Sequence, residues 1–310
     1  MFDADRRAAL KGQIGVEIGV LLSICDAAGG YPVWAESGIA TELDDSGRKG
    51  AIVYAAAAMT VGQGSAKKMM PLMSPLVFWT SYRCLDMLFE WLIRENEDNC
   101  PSGFEAKRKL LANRLSTYRL PSSLKPGWVK TLFDLYDKLL EFRHALTHRQ
   151  WGKRDESGNL CFGFQTKQGE TMQQTVTWTQ VIDMAFLVAK IAELLVEDRM
   201  PDMLGQRILT WLEDRVQPII GAKPQGLLPP LRTRVQYTLT QTSQLPAAVD
   251  LGSIRDYISS RNSRRDCIID LRLVANLEGA SRRWYIPAES LPEEKTLRLD
   301  EAWDSFLLKQ

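Results

Sequence analysis

The two histidines of the chain lie in one short segment, Glu141-Phe-Arg-His-Ala-Leu-Thr-His148, together with an arginine. Histidine can both accept and donate a proton near neutral pH, because its unperturbed pKa lies there. The planar guanidinium group of Arg143 can hold two phosphate oxygens. Cleavage of RNA needs a group that takes the proton from the ribose 2′-OH, a group that protonates the leaving 5′-oxygen, and a cation that stabilises the phosphorane charge. The segment therefore indicates metal-independent RNA chemistry, with Arg143 on the phosphate and His148 as general base or acid. His144 either assists the proton transfer or only fills a polar position after the arginine.

A helix that begins near Pro126 and ends at about His148 is predicted to carry these residues. Steps of three and four residues place one stripe of this helix on a single face: Leu132, Tyr136, Leu139, Arg143 and Leu146. The stripe is otherwise apolar, so Arg143 needs either a carboxylate partner or an anion to bind. The neighbouring row carries His144 and His148, and Glu141 lies close enough in sequence to orient either ring.

The motif Arg143-His144-Ala-Leu-Thr-His148 resembles the R-x4-6-H motif of HEPN ribonucleases, including the polar residue after the arginine. A strong helix upstream and a closing helix over residues 177–198 are similar too, and the resemblance covers roughly residues 70–200. It implies a helical bundle that forms a homodimer, in which two copies of Arg143 and His148 line one cleft. It also implies an endonuclease of a defence or toxin type that leaves a 2′,3′-cyclic phosphate, with RNA and an antitoxin or partner subunit as partners and no cofactor.

Other interpretations of the same residues stay open. Arg143 could pair with a buried carboxylate such as Asp86 or Asp183, while both histidines cap the C-terminal end of the helix. His144 and His148 could bind zinc, although no further ligands stand at a recognisable spacing, so no metal site is predicted. The alternative function is a non-catalytic helical subunit that binds nucleic acid or protein within a larger, for example antiviral, assembly. A catalytic Arg143 must reach an open cleft, whereas a structural one should be sealed by a carboxylate.

The fold class is predicted as mainly α, with a HEPN-like helical bundle that carries a small β-hairpin insertion and a small α+β domain after it. The predicted domains are a helical N-terminal extension over 1–70, the HEPN-like domain over 71–205 and the α+β domain over 206–310. Helices are predicted in the first two of these at 5–27, Ala51–Val61, from Ser74 with Ser74 as N-cap, at 104–119 and at 177–198, where Thr177 and Gln180 have capping-box spacing. Two or three short strands are predicted over 150–178, with turns at 156–159 and 168–169. The predicted elements of the last domain are strands at Arg234–Thr240, Asp266–Leu277 and Arg283–Pro287 and a helix at Ile254–Arg261.

Composition gives weaker guidance about partners and compartment. The net charge of +1 argues neither for nor against a polyanion, so only a local patch of basic residues could bind RNA. Weaker RNA-binding candidates are four arginines near aromatic residues, Arg264, Arg265, Arg282 and Arg283, which could instead be solvated strand ends. Four basic residues of the helix before the motif are expected on a solvated face or along an RNA backbone: Lys107, Arg108, Arg114 and Arg119. Five scattered cysteines without a C-x-x-C pair favour a reducing cytoplasm. No signal peptide and no membrane segment are predicted, since the longest apolar run, Ala51–Met59, is short.

Overall fold

The structure, a computed structural model, describes residues 2–27, 38–44, 49–54, 70–97, 99–147, 152–165, 171–239, 245–277 and 280–308. The chain divides into two compact units, of which the first comprises Met1–Tyr31 and Thr60–Leu227. The second comprises Pro32–Met59 and Leu228–Gln310. The prediction of a mainly α fold with an α+β part is confirmed.

The helices and strands of both units are numbered together in chain order. In chain order they are α1 (Ala4–Ala27), β1 (Gly38–Asp44), β2 (Lys49–Tyr54), α2 (Ser74–Asn96), α3 (Phe104–Arg114), α4 (Pro126–Thr147), β3 (Gly152–Arg154), β4 (Leu160–Gln165), β5 (Thr171–Val176), α5 (Trp178–Glu197), α6 (Met203–Val216), β6 (Pro230–Leu239), β7 (Ala247–Asp250), α7 (Leu251–Arg261), β8 (Asp266–Leu277), β9 (Ala280–Ile286) and β10 (Thr296–Leu299). Short 3-10 turns precede α2 and follow α3 and α6.

Helix α5 lies in the interior of the first unit. Almost every side chain from Val181 to Leu195 is buried. Its start is fixed by the predicted capping box: the Thr177 hydroxyl accepts from the backbone N–H of Gln180, and the Gln180 side chain accepts from the backbone N–H of Thr177. It ends at Asp198, which has a left-handed φ of 50°. The capping box and the end of this helix near Asp198 are therefore confirmed.

Helix α1 packs against α2 and α5. It buries Leu10, Ile14 and Leu21 in the first unit and leaves Val16 exposed on the other side. Among the described helices, the segment Ala4–Cys25 is the one whose length and apolar composition would allow it to cross a membrane. One such helix near the N-terminus is weak evidence for a membrane span, because core helices of soluble proteins and signal sequences share this length and composition.

A three-stranded antiparallel sheet, β3-β4-β5, supports the C-terminal half of α4. Phe162 of β4 stacks on Phe142 of α4 with ring centroids 4.6 Å apart, and both side chains are fully buried. The predicted turn between β3 and β4 is present, and Gly158 there has a φ of +82°. A Cβ at this glycine would lie 2.4 Å from the Cβ of Pro71, so the turn also fixes the residues just before α2.

The second unit is built on the sheet β2-β1-β6-β8-β9. Strands β1, β6 and β8 are parallel, while β2 and β9 run antiparallel to their neighbours. One face of the sheet is apolar and packs against α7 and the strand pair β7–β10, with Val235, Leu271, Leu273 and Trp284 in the centre of this core. The alternation of buried and more exposed residues in β6 leaves the other face polar.

Several predicted elements differ from the structure. The predicted helix over Ala51–Val61 is wrong at residues 51–54, which belong to β2, and residues 55–61 lie outside the described part. A short apolar run fits a strand as well as a helix, and pairing with β1 decides in favour of the strand. Ser74 is the first helical residue rather than the N-cap, which is Met73, and α3 ends at Arg114.

The predicted domain boundaries also differ from the two compact units. Residues 32–59, which the prediction assigns to the N-terminal extension, group with residues 228–310 because β1 pairs with β6. The predicted boundary at 205/206 lies inside α6, whereas the whole of this helix belongs to the first unit, which extends to Leu227.

Candidate functional site

Arg143 lies at the end of the predicted stripe of α4. Leu132, Tyr136 and Leu139 are buried, as the periodicity predicts, whereas Arg143 is half-buried. Its guanidinium carbon is 4.1 Å from the ring centroid of Phe104 in α3 and 5.3 Å from that of Trp79 in α2. Contacts of this kind between a cation and aromatic rings contribute about 0.5–2 kcal/mol. Arg143 is thus held where three helices meet.

A layer of aromatic and charged side chains lies beside this stack. Tyr82 stacks almost parallel on Tyr136, with ring centroids 5.3 Å apart, and its ring is 5.9 Å from that of Phe104. The hydroxyl of Tyr136 donates to Asp86 Oδ1 at 2.8 Å. Lys107 Nζ is 2.8 Å from Asp86 and also lies 5.2 Å from the Phe104 centroid. Phe104 therefore contacts both the candidate catalytic cation and a second, structural one.

The sequence predicts Lys107 on a solvated helix face, and this prediction is wrong. The residue is only 3% exposed. Its ammonium group bridges Asp86 and Glu90, the latter at 3.3 Å. Arg108, one residue on, pairs with Glu105 and with Asp137 of α4. Lys107 and Arg108 therefore join α3 to α2 and α4.

The tyrosines of this layer stay protonated at neutral pH. Burial, followed by the charge of Asp86, raises the pKa of Tyr82 far above 10, although Arg143 opposes the shift. Burial together with Tyr82 and Asp86 raises the pKa of Tyr136 further. Burial also pushes the pKa of Glu90 upward, but the hydrogen bonds from Arg94 and Lys107 outweigh it and lower that pKa. Both phenols therefore stay protonated, the hydroxyl of Tyr136 donates to Asp86, and neither phenol can serve as a general base near neutrality.

The two carboxylates considered as partners of Arg143 each receive another cation. Asp86 accepts from Lys107 and from Tyr136. Asp183, fully buried in α5, accepts from Arg215 Nε of α6 at 2.7 Å. The guanidinium group of Arg143 lies over the rings of Phe104 and Trp79.

The described residues include only part of the other predicted catalytic residues. His144 lies in the last turn of α4, but its side chain and the whole of His148 are outside the described residues. Glu141 is exposed, and a separation of two residues turns it about 200° away from Arg143 around the helix. An orienting role of Glu141 would thus have to act on the histidines, because it does not share the face of Arg143.

The four arginines predicted to bind RNA do not form one cluster. Arg264 and Arg265 lie in the turn between α7 and β8. Arg282 and Arg283 are consecutive residues of β9, so they belong to opposite faces of the sheet. Within the described ranges no group of three or more histidine, cysteine, aspartate or glutamate residues could hold a metal ion.

The aromatic residues around Arg143 are the part of the site that the motif did not indicate. Trp79 and Tyr82 are three residues apart in α2, so the sequence places them on one helix face, but it gives no sign that this face meets Arg143. Phe104 and Lys107 come from a separate helix, and their role depends on how that helix packs.

Comparison of the chain with protein-family models, with curated proteins and with solved structures gives no match. The likeness to HEPN ribonucleases therefore remains a resemblance of one short motif and its helical setting. A proposal about function has to rest on the chemistry of the residues themselves.

Proposed function

We propose that the first unit is a metal-independent RNA endonuclease of a defence or toxin type, with Arg143 and His148 as its main catalytic residues. The observation that carries the proposal is the half-buried guanidinium of Arg143, stacked on Phe104 and Trp79 where α2, α3 and α4 meet. Stacking orients the flat face of a guanidinium and directs its N–H groups along the edge, which is the geometry for holding a phosphate.

In the proposed reaction the ribose 2′-oxygen attacks the adjacent phosphorus while a histidine takes the 2′-OH proton. The bond from phosphorus to the 5′-oxygen breaks, and a protonated histidine gives its proton to that oxygen. The products are a 2′,3′-cyclic phosphate and a 5′-hydroxyl end. His148 has one of these proton roles, His144 assists, and Arg143 stabilises the negative charge that develops on the phosphoryl oxygens.

The surroundings of Arg143 suit a nucleic-acid substrate. Trp79 is 37% exposed, so part of its ring is accessible beside the arginine. Aromatic rings next to a cation are typical of sites where single-stranded bases stack and phosphates bind. Tyr82, Tyr136 and Lys107 would act as positioning residues, since they hold Phe104, which in turn holds Arg143.

The resemblance adds further parts to the proposal. A HEPN-like bundle would form a homodimer in which Arg143 and His148 of both copies line a shared cleft. The enzyme would act in the cytoplasm, which the scattered cysteines favour, and it would be controlled by an antitoxin or partner subunit, as the resemblance implies.

Cleavage of a labelled RNA pool in the presence of EDTA tests this proposal. We expect fragments that end in 2′,3′-cyclic phosphate, and we expect His148→Ala and Arg143→Lys each to lower the rate by about 100-fold or more. Arg143→Lys keeps the charge but loses the planar fork.

Arg119→Lys is a matched control, because Arg119 also stacks on a ring, that of Phe2, at 4.3 Å. This variant should keep wild-type activity. Cleavage by His148→Ala at the wild-type rate, or no cleavage by a folded dimeric wild type, would contradict the proposal.

A second candidate function is a non-catalytic subunit that binds nucleic acid or protein. The observation in its favour is the dense packing of Arg143 and Lys107 around Phe104, because such cations can join helices without any catalytic role. In that case Arg143→Gln would lower the melting temperature, and the wild type would bind RNA without cutting it.

A further inference from the structure

The polar face of the sheet in the second unit carries a line of arginines across three strands. The register pairs Arg234 of β6 with Asp270 of β8, and Arg272 of β8 with Tyr285 of β9. It also pairs Val274 with Arg283, so each strand places its arginine one diagonal step further along. We call Arg234, Arg272 and Arg283 the arginine diagonal. Diagonal neighbours in a sheet are about 7–8 Å apart, a spacing that successive phosphates of an extended strand can follow.

The arginine diagonal differs in pairing from the neighbouring Arg232. Arg232 binds Asp270 through two hydrogen bonds of 2.9 Å and also pairs with Glu289. In the described part of the chain, no carboxylate lies within ion-pair distance of any member of the diagonal. Arg234 and Arg283 are exposed, and the buried Nε of Arg272 has no hydrogen-bond acceptor. Arg232 and the diagonal together carry four positive charges against the two carboxylates Asp270 and Glu289, so these described side chains keep a net positive charge.

Asp270 lies beside the diagonal but forms its ion pair with Arg232. Besides the bonds from Arg232, it accepts from the Tyr285 hydroxyl and from the backbone N–H of Ala288, each at 3.0 Å. Its two oxygens therefore accept four hydrogen bonds, none of them from a member of the diagonal. The carboxylate holds the framework of the face, and the guanidinium groups of the diagonal keep N–H donors for another acceptor.

A further feature favours a single strand as the ligand. The guanidinium carbon of Arg234 lies over the Tyr285 ring, 5.4 Å from its centroid, and such planar groups provide stacking surfaces for unpaired bases. The three arginines lie in a line over β6, β8 and β9.

We infer that this face binds single-stranded RNA, with successive phosphates along the arginine diagonal and a base near Tyr285 and Arg234. The choice of RNA over another polyanion rests on the proposed function of the first unit. The diagonal would bring substrate to the protein and is not itself catalytic. It shares only Arg283 with the four arginines predicted from the sequence.

The test is the binding of a short fluorescein-labelled 2′-O-methyl oligouridine to the full chain, measured by anisotropy at several salt concentrations. The 2′-O-methyl group removes the nucleophile, so binding is measured without cleavage. Three phosphate contacts on a single strand correspond to a slope of about −2 in log K against log salt. The affinity should fall roughly twentyfold from these contacts alone between about 50 and 200 mM salt.

The variant R234Q/R272Q/R283Q should bind at least about tenfold more weakly at low salt, with a slope shallower by about 2. The control R264Q/R265Q/R282Q removes the same charge from the same unit and should keep the wild-type slope. Arg283→Gln alone, at an exposed position of β9, should make the slope shallower by about 0.7 and provides a readout should the triple variant not fold.

Three results would overturn the inference. The first is wild-type binding by R234Q/R272Q/R283Q, and the second is an equal loss in both triple variants, which would show a mere effect of net charge. The third is displacement of the oligonucleotide by duplex RNA or by polyglutamate as effectively as by single-stranded RNA, which would indicate a different partner. Failure of the wild type to cut RNA bears only on the proposed function, whereas loss of oligonucleotide binding bears on this face.

Discussion

Replacement of Lys107 by methionine should destabilise the first unit strongly. Its ammonium group is 2.8 Å from Asp86 and 3.3 Å from Glu90, and the residue is 3% exposed. Methionine keeps most of the volume of the side chain, so the change isolates the charge. Removal of one partner of a buried ion pair costs about 3–5 kcal/mol, because the other charge stays buried without compensation. Asp86 is 15% exposed and keeps its bond from Tyr136, so we expect the lower end, about 3 kcal/mol.

Asp86→Asn and the double variant complete a thermodynamic cycle. Asp86→Asn should cost about 1–2 kcal/mol, since Lys107 keeps Glu90 as a partner. The double variant should be less destabilised than the sum of the two single changes by about 1–3 kcal/mol, because neither charge is then left alone.

Urea unfolding of the full chain, followed by far-ultraviolet circular dichroism, measures these free energies. Lys109→Met is the matched control: its side chain lies on the same helix, is 69% exposed and is 3.6 Å from Glu105. The loss of such a surface pair should cost about 0.5 kcal/mol or less. If Lys107→Met costs no more than Lys109→Met, or if the two single effects add without coupling, the pair is not the buried support of Phe104 described above.

Three other changes have effects that follow from local geometry. Gly158→Ala should lower the free energy of unfolding by about 2 kcal/mol or more, because the new Cβ would lie 2.4 Å from Pro71 at a positive φ. Gly127→Ala is the control in the same urea assay, and it should be nearly neutral because the added methyl group meets open space. Gly15→Ala, in the middle of α1 with nothing within 4 Å of the added methyl, should stabilise by about 0.5–1 kcal/mol, and a lower melting temperature would count against this view of α1. Burial raises the pKa of Asp270, but the bonds from Arg232, Ala288 and Tyr285 outweigh it and lower that pKa. The stabilisation by the Asp270 carboxylate should therefore be complete above about pH 4 and lost as the pH falls through the lowered pKa. The difference in free energy of unfolding between the wild type and Asp270→Asn should shrink in acid. If this difference grows instead, the pKa of Asp270 is not lowered in the folded protein.

Local patterns predict several elements of both units. The stripe of α4 and the capping box of α5 depend on residues three and four positions apart, and such neighbours are adjacent in any helix. Strand β8 has the predicted bounds because its apolar residues alternate over a long run. For the same reason the motif places Arg143 correctly at the end of a buried stripe.

The rest depends on contacts between distant segments. Nothing in the sequence around Lys107 distinguishes it from the exposed Lys109; the carboxylates that bury it come from α2. Arg282 and Arg283 look like one basic cluster, yet the pleat of β9 separates them. The arginine diagonal joins three segments whose register is set by strand pairing, which a single sequence does not reveal.

The pairing of β1 with β6 has a consequence for how the chain is made. The helical segment Thr60–Leu227 lies between these strands in sequence, and at about 5–20 residues per second its synthesis takes roughly ten to thirty seconds. During this time β1 and β2 have left the ribosome without the strand that completes their sheet, and a two-stranded hairpin with open edges is marginally stable and prone to wrong pairing. The arrangement also means that one proteolytic cut within the helical segment cannot release an intact second unit, because strands on both sides of the cut are needed to build it.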